Sequence, residues 1–263
     1  MTPPPSGPAK WPRRFVGDYD KYIRVVRAQP FHFPFKKYFD FRRFFPLDHS
    51  VGCRVKDLGL IDYEEAFQLQ KQTVAQVIQG ESDTLLLCEH PAVFTLGRLA
   101  DEQNFLIPSK DIESRGIKIL KIDRGGEVTL HAPGQMVTYP IFNLNHFRRD
   151  LRHFLYKLEQ VAIDFLQDFD IVARRISGRR GVWVGPKKVA SLGIGVKKWV
   201  SFHGMAINVN TDLNLFSMIK PCGLDVKMTS VSELIGHDVD LKDIKERIVK
   251  HYCRNFNLRI QNR

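Results

Sequence analysis

Residues 124–141 read RGGEVTLHAPGQMVTYPI, and this stretch indicates most clearly how the chain folds. Paired glycines open it, and Pro133-Gly134 marks a tight turn directly before the apolar run 137–141. The stretch therefore predicts an extended segment, a turn and a strand. Strand-like runs of the same kind are found at residues 84–88, 93–96, 182–184, 189–196 and 205–209.

Three longer segments show helical periodicity instead. In the first, apolar residues recur at helical spacing between Tyr63 and Ile78. Asp62 and Glu65 form a capping-box pattern at its start, and Gly80 supplies a stop. The other two helices are predicted through residues 151–165 and 241–252. Consecutive strands at hairpin spacing outnumber strand–helix–strand units, so we predict an α+β fold with a mixed, largely antiparallel sheet flanked by helices.

The composition is that of an ordinary globular chain. The sequence has 263 residues, of which 43% are hydrophobic and 26% charged. No uninterrupted apolar run reaches the ~18 residues that a membrane helix needs. The N-terminus also lacks the basic-then-apolar layout of a secretory signal. We therefore expect a cytoplasmic protein with no membrane partner.

The first 50 residues differ from the rest, so we predict a basic, Pro/Phe-rich extension (1–50) ahead of one catalytic domain (51–263). Residues 31–45 contain seven phenylalanines among lysines and arginines. Such a stretch could bind nucleic acid or a membrane surface. Its aromatic residues follow neither helical nor alternating spacing, which favours rings that pack onto the main domain. We expect no nucleic-acid partner.

Charge and cysteine usage limit the function further. The formal net charge of +11 indicates an acidic partner, which nucleic acid or an acidic protein would satisfy equally. Cys53, Cys88, Cys222 and Cys253 are far apart and show no CxxC spacing, so a disulfide framework or a zinc site is not expected. A free cysteine is most often a small buried apolar residue, and composition singles out no catalytic thiol.

The stretch 124–135 is also the densest candidate for a binding site. Paired glycines let a backbone approach a ligand closely. Arg124, Thr129 and His131 are interleaved in a strand-like register, so their side chains could project into one site. The alternative is a hairpin whose glycines serve only its turns. The GxGxxG and GxxxxGK[ST] spacings of phosphate loops are both absent.

A pair of lysines and a cysteine complete the candidates. Lys187 and Lys188 follow a turn at Gly185-Pro186, and adjacent strand residues point to opposite faces. A lysine buried on the inner face could accept a proton, whereas two solvated turn lysines are the simpler alternative. Cys222 lies between Pro221 and Gly223, a turn that fixes a sulfur beside open space, although a plain loop cysteine fits equally well.

Three histidines could suggest a metal site. His90, His131 and His203 are not at metal-ligand spacing, and packing or hydrogen bonding explains them better. We expect no metal.

Several segments, taken in order, resemble the lipoyl(octanoyl) transferase family, whose fold is related to that of lipoate and biotin protein ligases. The segments at 57–63, 89–98 and 124–135 match its first three landmarks. Those at 181–184, 188–193 and 203–209 follow in the family's order, and Pro221-Cys222-Gly223 comes last. The resemblance covers residues 53–235 and not the extension. It also selects Lys188 rather than Lys187, because the family's lysine directly precedes a hydrophobic residue and an alanine.

The resemblance implies the site residues and the reaction. Cys222 would form an acyl-thioester and Lys188 would stabilise its thiolate and shuttle protons. The residues that would bind the substrate are Arg124, Gly125, Gly126, Glu127, Val128, Thr129, Leu130, His131, Ser191, Leu192, Gly193, Gly204, Met205 and Ala206. Leu130, Ala132 and Met205 stand where tyrosine, glycine and phenylalanine are usual, which affects how the acyl chain fits.

The implied partners are octanoyl-acyl carrier protein as the donor and a lipoyl domain as the acceptor. The acceptor would belong to a 2-oxoacid dehydrogenase complex or be the glycine cleavage H protein. Transfer from thioester to thioester to amide runs downhill, so no cofactor is implied, neither ATP nor a metal. Rival activities are an ATP-dependent lipoate or biotin ligase, which needs no nucleophilic cysteine, and a thioesterase, which uses water as the acceptor.

Overall fold

The computed structural model describes residues 50–100, 102–220 and 226–261. An eight-stranded sheet runs through this part of the chain. The strands of the described chain are β1 (Val51–Leu60), β2 (Asp83–Glu89), β3 (Val93–Leu96), β4 (Lys118–Lys121), β5 (Val128–His131), β6 (Gln135–Ile141), β7 (Arg174–Ile176), β8 (Arg179–Val184), β9 (Lys187–Lys197), β10 (Val200–Asn208) and β11 (Leu258–Ile260). The large sheet has the order β11-β1-β2-β6-β10-β9-β8-β7.

Most neighbouring strands of the large sheet are antiparallel. Strand β1 is the exception, because it pairs in parallel with both β2 and β11. A second sheet has the order β4-β3-β5, in which β3 is parallel to β4 and antiparallel to β5. The prediction of a mixed, largely antiparallel α+β fold is therefore confirmed.

The helices are α1 (Tyr63–Ile78), α2 (Ser109–Glu113), α3 (Leu151–Gln167), α4 (Val231–Ile235) and α5 (Leu241–Phe256), with 3-10 turns at Glu102–Asn104 and Leu213–Met218. The three long helices were predicted from periodicity. The Asp62 carboxylate accepts a hydrogen bond from the Glu64 N–H at 2.8 Å, which confirms the predicted N-cap of α1. Gly80 follows α1 with a φ of +99°, a conformation that costs glycine little. No helix of the described residues is long and apolar enough to cross a bilayer.

Helices α3 and α5 cover one face of the large sheet. Their apolar side chains join those of the sheet in a single cluster that contains Phe142, Phe165 and Tyr252. The Tyr252 hydroxyl lies 2.7 Å from the Thr138 hydroxyl, so the buried polar tip of the tyrosine is satisfied. Helix α1 packs on the opposite face against a smaller cluster that includes Tyr139. Val137, Tyr139 and Ala206 of this second cluster also line a cavity.

Four strands were not predicted from the sequence. β4, β7 and β11 are edge strands of three or four residues, and edge strands carry charged residues that hide the apolar pattern. β1 is longer, but six of its ten residues are only partly buried and it contains Arg54, Lys56 and Asp57. Residues 1–49 lie outside the described residues, so the extension and the domain boundary remain predictions.

The packing of α5 can be tested by truncating a core residue. Ile248 is fully buried in the cluster beneath α3 and α5, so Ile248→Ala should lower the free energy of unfolding by about 2–5 kcal/mol. Lys250→Ala, on the exposed side of the same helix, should change it by less than about 0.5 kcal/mol. Urea denaturation followed by circular dichroism measures both. Equal effects of the two substitutions would contradict this packing.

Candidate functional site

A cavity of about 490 Å³ lies beside β8, β9 and β10, where these strands meet the chain that leads into β5. Its volume is in the range of small-molecule sites. The structure brings Lys188 to this cavity together with nearly all of the predicted substrate-binding residues. Those that line it are Arg124, Gly125, Gly126, Glu127, Val128, Thr129, His131, Ser191, Leu192, Gly193, Gly204, Met205 and Ala206.

Leu130 is the predicted substrate-binding residue that does not line the cavity. Its side chain is fully buried in a separate apolar cluster with Phe94 and Ile112. Successive residues of a strand point to opposite faces, so the exposure of Thr129 and His131 to the cavity turns Leu130 away. Leu130 therefore belongs to the core of the small sheet rather than to the site.

The Arg124 side chain is fixed by carbonyl oxygens. Its Nη2 donates to the Thr95 carbonyl at 2.7 Å and to the Thr95 hydroxyl at 3.0 Å. Its Nη1 donates to the Gly125 carbonyl at 3.0 Å. Arg124 is thus buried and ties the glycine pair to β3. This arginine holds the wall of the cavity in place.

Glycines allow the Gly125-Gly126 segment to pack directly against Gly97 and Gly193. A Cβ at Gly97 would lie 2.2 Å from the Gly126 carbonyl oxygen, and one at Gly193 would lie 2.9 Å from the Gly125 carbonyl oxygen. Neither contact is tolerated between real atoms, so both positions require glycine. The Gly125 N–H also donates to the Ile194 carbonyl at 3.2 Å, which fastens the segment to β9. The glycine pair is therefore held against both sheets.

Lys188 points into the cavity and Lys187 points away from it. Lys188 is 2% exposed, and its Nζ lies 5.7 Å from the centroid of the Trp183 ring. Its side chain runs over Gly181, where a Cβ would lie 2.4 Å from the lysine Cε. Lys187 instead forms a 2.8 Å ion pair with Glu233. Of the two lysines, only Lys188 can reach a substrate in the cavity.

The main chain of Lys188 binds the segment that begins at residue 226. The Lys188 N–H donates to the Lys227 carbonyl, and the Thr229 N–H donates to the Lys188 carbonyl, both at 2.9 Å. Val226 lines the cavity. Cys222, Pro221 and Gly223 lie outside the described residues.

Two of the predicted histidines, His131 and His203, line the cavity, and the His90 ring lies next to that of His131, with 5.5 Å between their centroids. Burial lowers the pKa of His90 to about 4 and that of His203 to about 3. Burial, together with the nearby His90, holds the pKa of His131 well below its ordinary value. All three rings are therefore neutral at neutral pH. Their expected role in packing and hydrogen bonding is confirmed.

Each histidine is oriented by its neighbours. His90 Nδ1 lies 2.7 Å from the Ile61 carbonyl, and its Nε2 lies 2.8 Å from the Tyr139 hydroxyl. His131 Nδ1 lies 2.8 Å from Gln135 Oε1. The Tyr63 hydroxyl lies 3.5 Å from His203 Nδ1, and the Tyr63 ring stacks on His131. The neutral rings of Tyr63, His131 and His203 therefore line the cavity, and they suit the apolar part of a ligand.

Sequence reasoning missed several residues that line the cavity. Tyr63 was assigned to the apolar side of a helix and Tyr139 to a strand, so neither was a candidate. Trp183 lies in a segment that matches the family, yet only its contact with Lys188 shows that it faces the site. Arg179 is a further lining residue that no local pattern singled out. Long-range pairing of strands, which local sequence does not encode, brings these side chains together.

Comparisons with known proteins agree with this geometry. Residues 62–253 match the family described as the lipoyl protein ligase A/B catalytic domain. An octanoyltransferase of Solibacter usitatus is 44% identical over 207 residues, which cover 78% of this chain and 94% of that protein. One of Syntrophotalea carbinolica is 44% identical over 75% of this chain and 92% of that protein. The chain belongs to the lipoyl(octanoyl) transferase family.

Solved structures show the same fold at low sequence identity. The bipartite lipoate protein ligase of Thermoplasma acidophilum, described with its E2 lipoyl domain, has a TM-score of 0.64 at 14% identity. The alignment covers 82% of this chain and 87% of the ligase. Lipoate-protein ligase A with bound ATP has a TM-score of 0.66 at 13% identity, over 81% and 88% of the two chains. The predicted relationship to the lipoate ligase fold is confirmed.

The neutral histidines predict how the stability of this family member depends on pH. Their pKa values are depressed in the folded state, so the unfolded chain binds more protons below pH 6.5. Each histidine should remove about 1.4 kcal/mol of stability per pH unit as the pH falls from about 6 towards 4. His90→Gln should make this dependence shallower by about that amount. Urea denaturation at a series of pH values measures the slope, and an unchanged slope in His90→Gln would contradict the assignment.

Proposed function

We propose that this chain transfers an octanoyl (or lipoyl) group from acyl carrier protein to a lysine of a lipoyl domain, through a thioester on Cys222. The observation that carries the proposal is the burial of Lys188 in a cavity whose lining also includes the neutral His131 and His203 and several apolar side chains. A buried amine beside an apolar acyl site can hold or release a proton while the acyl group reacts. The octanoyltransferases that are 44% identical over 75–78% of this chain support the acyl group.

The first half-reaction loads the enzyme. The Cys222 thiolate attacks the carbonyl carbon of the octanoyl thioester, and the new C–S bond forms as the bond to the carrier sulfur breaks. Lys188, as the ammonium ion, gives a proton to the departing carrier thiolate. The main-chain N–H of Gly193 or of Cys222 would bind the oxyanion in the transition state. The products are an acyl-cysteine, a carrier thiol and a neutral Lys188.

The second half-reaction unloads the enzyme. The acceptor lysine, as a neutral amine, attacks the acyl-cysteine carbonyl, and the C–S bond to Cys222 breaks. Lys188 takes the proton that the amine loses as the amide forms. Cys222 is again a thiolate and Lys188 again an ammonium ion, so the cycle closes with no other reactant. Neither ATP nor a metal is needed because an amide is more stable than a thioester.

The position of Cys222 in the sequence supports this pairing. It lies four positions before Val226, which lines the cavity. A chain spans at most about 3.6 Å per residue, so connectivity limits the distance between these two Cα atoms to about 14 Å. The segment that follows Val226 is hydrogen-bonded to the main chain of Lys188. A thiol within reach of the buried lysine is what the mechanism requires.

The acyl chain would lie along the glycine-lined wall. Gly193, Gly204 and Ala206 line the cavity beside the Arg124–Gly126 segment, and Tyr139, His131 and His203 line it as well. Leu130 is excluded from this role because it lies in the core. The other predicted substrate-binding residues, which lie in the segments 124–131, 191–193 and 204–206, keep the role proposed for them.

The net charge of the chain and a ligase of the same fold both support the proposed partners. The lipoate ligase of Thermoplasma acidophilum is described with an E2 lipoyl domain, which supports a lipoyl domain as the acceptor. Carrier proteins and lipoyl domains are typically acidic, so a net charge of +11 would steer both partners towards the site. A cytoplasmic location stays a prediction from the sequence.

A lipoate ligase activity is the nearest alternative. It is less well supported because the ligases of the same fold are only 13–14% identical, whereas the octanoyltransferases are 44% identical. A ligase would use free octanoate and ATP, and it would keep that activity in Cys222→Ala. This outcome would overturn the proposal.

Mass spectrometry after incubation with octanoyl-carrier protein tests the mechanism. The wild type should gain one octanoyl group on Cys222, and Cys222→Ala should gain none. Lys188→Ala should acquire the adduct about 10²- to 10⁴-fold more slowly, because it lacks the proton donor. Addition of a lipoyl domain should discharge the adduct.

Lys187→Ala is the matched control, since Lys187 is the neighbouring lysine that faces away from the cavity and pairs with Glu233. It should load within about twofold of the wild-type rate. Equal slowing by the two lysine substitutions would show that Lys188 has no special role. Rapid release of octanoate without an acceptor would favour a thioesterase.

A further inference from the structure

An arginine lies at the mouth of the cavity, in the hairpin of β7 and β8. The turn at Ser177-Gly178 joins these strands, and Gly178 has a φ of +77°. Gly178 and Arg179 both line the cavity, and Arg179 is exposed to solvent. Its guanidinium carbon lies 5.9 Å from the centroid of the Trp183 ring. Lys188 approaches the same ring, so Arg179 and Lys188 lie on one side of β8.

Among the other arginines of the hairpin, Arg174 does not line the cavity, and Arg175 and Arg180 contact Glu159. Arg175 donates to Glu159 at 3.1 Å, to Gln160 at 2.9 Å and to the Tyr156 carbonyl at 2.9 Å. Arg180 Nη1 lies 3.9 Å from Glu159. Arg179 forms no ion pair within residues 50–100, 102–220 and 226–261. Its five N–H donors are therefore available to an anion.

The charge of the cavity favours an anion at this place. Glu127 is the only carboxylate residue among the described residues that line it, whereas Arg124, Arg179, Arg180 and Lys188 are cationic. Arg124 is committed to Thr95 and Gly125. The planar fork of an arginine matches the oxygens of a phosphate better than an ammonium ion does. An anion that enters with the substrate would meet Arg179 at the mouth.

We propose that Arg179 binds the phosphodiester of the phosphopantetheine arm on which the donor carrier protein holds its acyl group. This inference rests on the proposed function. The donor thioester reaches the cavity on an arm that ends in a phosphodiester, so this phosphate would lie on the solvent side of a thioester held beside Lys188. The acceptor lysine has no such group, because its short side chain is attached directly to its domain. Arg179 therefore serves donor recognition and not acceptor recognition.

The rate of acyl-cysteine formation with three donors tests the assignment. Octanoyl-carrier protein and octanoyl-phosphopantetheine carry the phosphate, and octanoyl-pantetheine does not. Arg179→Gln should lower the second-order rate constant about tenfold with the first two donors and less than about twofold with the third. Arg259→Gln removes the same charge from exposed β11, at the opposite edge of the sheet, and should change none of the three rates by more than about twofold. Equal losses in Arg179→Gln with all three donors, or a loss with the carrier protein alone, would overturn the assignment.

Binding of phosphopantetheine and pantetheine without an acyl group tests the role of Arg179 independently of the proposed function. By calorimetry, the wild type should bind phosphopantetheine about tenfold more tightly than pantetheine, and Arg179→Gln should bind both equally. Equal affinities in the wild type would overturn the role of Arg179 whatever the acylation assay shows. A preference for phosphopantetheine that Arg179→Gln abolishes would support that role even if no adduct formed on Cys222.

Discussion

The two main-chain hydrogen bonds between Lys188 and the pair Lys227 and Thr229 are the interaction on which the site depends. They fasten the segment that begins at residue 226 to β9, the strand that carries the lysine. Further along β9, the Ile194 carbonyl accepts the Gly125 N–H and so holds the opposite wall. One strand thus sets the positions of the buried lysine, of the glycine pair and of the segment that follows Cys222. Distortion of β9 would disturb all three together.

Close approach of the two sheets is the second constraint. Gly97 and Gly193 leave no room for a Cβ, and Arg124 spans the gap with hydrogen bonds to main-chain oxygens. Burial keeps His131 and His203, which line the cavity, neutral. The cations that line it include the buried Arg124 and Lys188 and the exposed Arg179. This combination of neutral rings and cations suits a ligand with an apolar tail and a reactive or charged head.

The local sequence predicted the features that depend on interactions between neighbouring residues. The N-cap at Asp62 and the helical spacing of α1, α3 and α5 were visible because capping and periodicity depend on nearby residues. The edge strands β7 and β11 were not, because their polar residues hide any pattern. Leu130 was expected in the site only because a continuous range was carried over from the family, and strand alternation places it in the core. Tyr139 and Arg179 reach the cavity through pairing between distant strands.

The central claim is that Lys188 stabilises the thiolate of Cys222, and the pH dependence of alkylation by iodoacetamide tests it most directly. Burial raises the pKa of Cys53 to about 12 and raises those of Cys88 and Cys253, so these thiols should react slowly near neutral pH. Peptide mass spectrometry would follow Cys222 in the wild type and in Lys188→Met. The account predicts that the midpoint of the alkylation profile lies at lower pH in the wild type. Identical midpoints in the two proteins would contradict it.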